Sequence, residues 1–133
     1  MDTVAEELTD SKSVKVTHVV ARPLDNVWGA LMKPQGAAAL LGEGGELGNK
    51  GEDWRANDGT YGVTRSFHPK EQIRFSWHAS EGAPRTLVDL HLRPAGDQTE
   101  LEIAHEHLPE DADTEELRRR WREVLTRIEE ASA

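Results

Sequence analysis

Six histidines, four tryptophans and no cysteine bound the chemistry this 133-residue chain can attempt. His91, His105 and His107 lie close together in sequence. His105 alternates with Leu101 and Ile103, so on a strand it shares their apolar face. An imidazole there could anchor a ligand carbonyl or act as a general base. It could equally be a core histidine satisfied by backbone or water. His91 has the opposite parity from Leu90 and Leu92, which points it to solvent. His105 and His107 could share a metal only if both faced one side of the strand. With no third ligand evident, no metal site is expected. Trp54, Tyr61, Phe75, Trp77 and Trp121 are the large aromatics expected in or facing a sheet. Together with His105 they form the expected ligand-binding set, lining a pocket for a flat apolar molecule with indole N–H and phenol O–H as orienting donors. The same aromatics could serve as plain core. Arg65 shares the parity of Tyr61 and Val63. Turned inward it would need a carboxylate or an anionic ligand; a salt bridge or a solvent-reaching strand end is the other reading. Neither Ser66 nor Ser76 sits on a G-x-S-x-G elbow. The paired carboxylates fall on turns and on an outer helix face. No catalytic set and no cofactor motif emerges, so a binding protein is expected rather than an enzyme. His105 alone keeps an enzymatic reading open.

The elements that must position these residues can be read from periodicity. From Asp113 to Glu130, Leu117, Trp121, Val124, Leu125 and Ile128 make one apolar helical stripe. Asp113 and Glu116 form a capping box at its start, and Glu115 with Arg119 and Glu116 with Arg120 are i,i+4 pairs. Ser13 to Arg22 alternates as a first strand. Pro23 opens a short helix carrying Val27, Trp28, Leu31 and Met32. Gln35 to Leu41 is a second short helix. The glycines from Gly42 to Gly51 form a turn region that lacks phosphate-loop spacing. Strands then follow at Glu52–Ala56, Tyr61–Phe67, Gln72–His78, Arg85–Arg93 and Thr99–Glu106. Turns separate them at Asn57-Asp58-Gly59, His68–Glu71, Glu81–Pro84 and Pro94–Asp97. The order is β-α-α, a meander of five or six strands, then a long helix: an α+β fold. Its antiparallel sheet has one apolar face, and the last helix is the cover of matching size.

The net charge of −9, from 16 basic and 25 acidic residues, argues against nucleic-acid or anionic-membrane binding. Arg118-Arg119-Arg120 sits among acids and reads as a solvated, paired helix face. Without cysteine, disulfides, thiol catalysis and Cys-ligated zinc are excluded. Met1 to Lys12 reads as an acidic flexible tail without the apolar core of a signal peptide, and residues 13–130 as a single domain. No run reaches the length of a membrane span, so a cytoplasmic protein is expected.

Ala21-Arg22-Pro23 with Val27-Trp28-Gly29-Ala30-Leu31, the strand Ile73-Arg74-Phe75-Ser76-Trp77, the segment Leu90-His91-Leu92-Arg93-Pro94-Ala95-Gly96-Asp97 and the run His105-Glu106-His107-Leu108-Pro109 occur in an order that resembles the START-like (SRPBCC) superfamily. The bacterial branch similar to the C-terminal domain of the heat-shock chaperone ATPase activator is the nearest resemblance. It implies a helix-grip fold, a curved antiparallel sheet wrapped around a long C-terminal helix, with a cavity for a small hydrophobic molecule between them. It also implies two alternatives: self-resistance to, or processing of, an enediyne or polyketide natural product, and a protein-interaction module acting on a chaperone. Ala37-Ala38-Ala39-Leu40-Leu41 departs from the resemblance, which leads one to expect an aromatic there, and would open the cavity mouth.

Overall fold

The computed structural model describes residues 12–133. The chain runs β1 (Lys12–Val20), α1 (Leu24–Leu31), α2 (Pro34–Leu41), β2 (Asp53–Arg55), β3 (Tyr61–His68), β4 (Gln72–Trp77), β5 (Thr86–Ala95), β6 (Gln98–Leu108) and α3 (Thr114–Ala131). Residues 1–11 of the expected tail lie outside the described residues. Lys12, placed in that tail, instead opens β1 opposite Leu108.

One six-stranded antiparallel sheet has the order β1-β6-β5-β4-β3-β2. The meander of five strands is contiguous, and β1 closes onto the last of them. This is the α+β helix-grip arrangement expected. The inner face carries Val14, Val16, Val20, Ile73, Phe75, Trp77, Val88, Leu90, Leu92, Leu101, Ile103 and His105, all buried. Alternation at a period of two puts them there. Helix α3 lays Trp121, Val124, Leu125 and Ile128 onto that face and packs against β1, α1 and α2. Each such side chain stabilises the fold by roughly 1.5–3 kcal/mol when fully buried.

Local boundaries depart from expectation for identifiable reasons. The turn expected at Pro94–Asp97 shrinks to Gly96-Asp97, with Ala95 still paired to Gln98. Gly96 takes φ +68, and a two-residue connection with that conformation matches the twist of the flanking strands. Helix α2 begins at Pro34 rather than Gln35, since proline's missing N–H costs nothing at a first turn. Ala37, Ala39, Leu40 and Leu41 on that helix are buried. A bulge between Thr64 and Ser66 adds a residue to β3. Thr64 and Gly62 are buried, whereas Arg65 is exposed. Of the two readings of Arg65, the structure has the solvent-reaching one.

Asp113 does cap α3, accepting from the Glu116 N–H at 3.1 Å. The expected i,i+4 pairs are not made. Arg118 pairs with Glu115 and Arg119 with Glu116, both at i,i+3, and Arg120 turns away from Glu116 to reach Asp58. Gly62 is a second tight point. A Cβ there would collide with the Ser76 carbonyl and reach 2.9 Å from Trp54 Nε1. Gly62→Ala should therefore cost about 1–3 kcal/mol through overpacking, read as a lower urea midpoint with unchanged m. An unaltered midpoint would show that β3 and β4 can spread freely.

Candidate functional site

A cleft of about 510 Å³ opens between the first half of α3 and the ends of β4 and β5. Trp77, Thr86, Leu108, Leu117, Arg120 and Asp58 are among its walls. Register brings them together. Trp77 ends β4 directly opposite Thr86, the first residue of β5. Val88, two residues on, faces His105. Trp121 comes down from α3 onto this corner. The rings of Trp77, His105 and Trp121 meet edge to face, with centroids 4.8, 5.9 and 5.6 Å apart, the arrangement favoured by ring quadrupoles.

His105 is fully buried, and its two nitrogens are both engaged. The Trp121 indole can only donate, and its Nε1–H reaches His105 Nδ1 at 3.1 Å. Nδ1 is therefore the acceptor, and the ring proton sits on Nε2. Nε2–H donates to Thr86 Oγ1 at 2.7 Å, and that hydroxyl donates in turn to the Trp77 carbonyl at 2.7 Å. Desolvation, with the nearby Arg120 charge adding to it, pushes the His105 pKa down to about 3. The imidazole is neutral, its tautomer is set, and it has no spare lone pair. It can support Trp121 and Trp77, but the geometry gives it no basic nitrogen to offer a substrate. The enzymatic reading that rested on His105 has no support here.

Arg120 is the residue that sequence reasoning missed. Its guanidinium lies over Trp77 at 5.2 Å and Trp121 at 5.6 Å, within reach of cation–π attraction. Nη2 donates to Asp58 Oδ2 at 3.3 Å, while Nε is buried and unpartnered. Asp58 sits on the β2–β3 turn. Burial tends to raise its pKa, but hydrogen bonds from the Thr60 hydroxyl and N–H, with Arg120, hold it below the ordinary aspartate value. The signal for Arg120 was available. It lies three residues after Leu117 and four before Val124, on the flank of the apolar stripe.

The other expected site residues are dispersed. Trp77 lines the cleft, with His105 and Trp121 beneath it. Phe75 is deeper, fully buried, and meets Trp54 edge-on at 5.7 Å. Tyr61 is not brought to the cavity. It points to the other side of the sheet, stacked on His78 at 4.4 Å with Arg55 over its ring. Its neighbour Gly62 takes the inward position. His107 has φ +63 beside the irregular pairing of Lys12 and Val14 with Leu108 and His105. It is exposed while Leu108 turns inward, so the His-x-His pair does not converge. Among the described residues no group of three or more His, Cys, Asp or Glu side chains could hold a metal ion. No helix among them is long and apolar enough to cross a membrane. A larger hollow of about 730 Å³ lies near Met32, Leu47 and Phe67. Its charged groups, Lys33, Glu46, Lys50 and Glu52, are all exposed, so it lacks the convergent buried polar atoms of the α3 cleft.

The geometry can be compared with known proteins. Residues 21–133 match the family model described as "Activator of Hsp90 ATPase homolog 1-like protein". No curated protein sequence matches the chain. Among solved structures it is similar to CalU16 from Micromonospora echinospora, with TM-score 0.77 and 24% identity over 92% of this chain and 77% of that one. DynU16, a putative protein in the dynemicin biosynthetic locus, gives TM-score 0.72 and 23% identity over 89% of this chain. The overlap spans 46% of that longer chain. An Aha1 dimer from Colwellia psychrerythraea gives TM-score 0.73 and 16% identity, covering 90% and 96% of the two chains. These likenesses establish a shared fold.

Proposed function

The chain belongs to the family of Activator of Hsp90 ATPase homolog 1-like proteins, and from that premise we propose that it is a START-like domain that binds a small hydrophobic molecule, without catalysis, in the cleft between the sheet and α3. The observation that carries the reading is the cleft itself. Its volume of about 510 Å³ falls in the range usual for small-molecule sites, which are mostly apolar with a few convergent polar groups. Trp77, Leu108, Pro109, Ala112 and Leu117 supply the apolar wall, and Arg120, Asp58 and Thr60 the polar one. Amide and indole NMR titration with a fatty acid, a sterol, an aromatic polyketide and an enediyne tests it. The expected result is saturable shifts confined to Trp77, Leu117, Arg120 and their neighbours. A spectrum unmoved by all four classes would overturn the reading.

A second reading is self-resistance to, or processing of, an enediyne or polyketide. Its support is the likeness to DynU16 from the dynemicin biosynthetic locus. If the chain is a sacrificial target, an activated enediyne should cut its backbone at the cleft. Absence of any specific fragment by mass spectrometry would sink that version while leaving ligand binding standing.

A further inference from the structure

We propose that the molecule held in the α3 cleft is an aromatic or polycyclic compound carrying an acceptor oxygen, bound most tightly as a carboxylate or phenolate, and that Arg120 is the residue that selects it. This rests on the cleft being a ligand site.

Arg120 carries five N–H donors, of which the structure engages one, in a long 3.3 Å bond to Asp58. Its Nε is buried without a partner, and so is Nε1 of Trp77, the ring beneath the guanidinium. Buried donors of this kind are normally satisfied, because an unmade hydrogen bond is costly. Here the two belong to side chains that stack on one another at 5.2 Å and line one cleft, and both are donors only. The missing partner is therefore an acceptor. The side chain as a whole is 28% exposed, so an incoming oxygen can approach the guanidinium from the cleft, and the two buried nitrogens become available to it when the side chains shift.

The acids around the cleft do not block this. Asp113 caps the Glu116 N–H, Glu116 holds Arg119, and Glu123 pairs with Arg127 at 3.7 Å. Among the described residues Asp58 alone competes for Arg120. A planar oxyanion would meet the guanidinium fork two-pronged, which no single long contact achieves. The flat body of the ligand would then lie along Trp77, Leu108 and Leu117. Asp58 and Arg120 also border an adjoining hollow of about 380 Å³, so a ligand longer than the first cleft can pass beside the pair.

The test uses three probes with one body and different heads: 2-naphthoate, naphthalene and 2-naphthylmethylammonium, each titrated by indole NMR into the full chain and its variants. The expected result is that naphthoate binds about tenfold tighter than naphthalene and the ammonium weakest, since a hydrogen bond to a charged group is worth at least that factor. Arg120→Met keeps the stem over the tryptophans and should erase the preference. Asp58→Asn removes the competitor and should tighten naphthoate. Equal binding of naphthoate and naphthalene by the wild type, or a preference that survives Arg120→Met, overturns the inference while cleft binding itself stands. Unchanged or weaker naphthoate binding by Asp58→Asn also overturns it. If none of the probes binds, and the broader panel also leaves the cleft unmoved, both readings fall.

Discussion

Replacing Trp121 by alanine is expected to lower the unfolding free energy by about 3–5 kcal/mol. Two losses combine. The side chain is fully buried between α3 and the sheet, so its removal leaves a cavity beside Trp77 and His105 that close-packed neighbours cannot fill. It also takes away the donor that engages His105 Nδ1, leaving a buried acceptor unpaired. Trp121→Phe separates the two losses. It keeps most of the apolar volume while removing the indole N–H, so it should cost about 1–3 kcal/mol. Urea denaturation of the three proteins measures both numbers. An alanine variant within about 1 kcal/mol of wild type, well below the large-to-small range, would mean that α3 is not fastened to the sheet at this corner.

Acid should destabilise the protein well above the pH at which carboxylates titrate. In the unfolded chain His105 takes up a proton near its ordinary pKa of 6.5, while in the folded protein burial holds that value down to about 3. Between these two values the unfolded state binds one more proton than the folded state, so stability falls as pH falls. The slope from this residue approaches about 1.4 kcal/mol per pH unit, and the whole window is worth on the order of 5 kcal/mol. The two depressed carboxylates act with the same sign in a lower pH window. Glu129 is held below its ordinary value by a hydrogen bond from His18 and by the Ala21 N–H, and Asp58 by Thr60 and Arg120. Their stabilisation is present above the unfolded carboxylate pKa and is lost only as pH falls below it. The interval from pH 6.5 to about 5 lies above the carboxylate window, and comparison with a His105 variant over that interval reads the part that belongs to His105. In His105→Gln, stability at neutral pH should be lower but its decline over that interval shallower by about one proton. Equal slopes in the two proteins would refute the neutral, doubly engaged imidazole.

Much of this frame was legible beforehand. The stripe from Leu117 to Ile128 and its Asp113 cap were readable because a helix repeats every 3.6 residues. The parity that put Ile73, Phe75 and Trp77 on one face, and Leu101, Ile103 and His105 on another strand's inner face, was readable because a strand repeats every two. Parity fails where a strand gains a residue. The bulge between Thr64 and Ser66 reverses the faces only beyond it, so that Phe67 pairs with the inward Ile73 and packs on the core, whereas Tyr61, Val63 and Arg65 keep one parity on the outer face opposite the buried Gly62 and Thr64. A bulge answers to pairing with β4, which no local pattern in β3 reports.

The sequence by itself determined the element order, the apolar faces of sheet and closing helix, and hence an α+β fold with a helix covering an antiparallel sheet, which the family resemblance identified with the helix grip. These follow from backbone geometry that each segment carries with it. Tertiary structure alone decided what His105 does. A histidine on an apolar face could be a base or a core group, and only the meeting of β4, β5, β6 and α3 supplies the indole donor and the Thr86 hydroxyl that occupy both its nitrogens. The same meeting took Arg120 from a member of a charged helix face to a cation stacked on Trp77 and Trp121 in the cleft wall. A side chain's partner depends on register and on helix placement between residues far apart in the chain, and that information is not contained in any one segment.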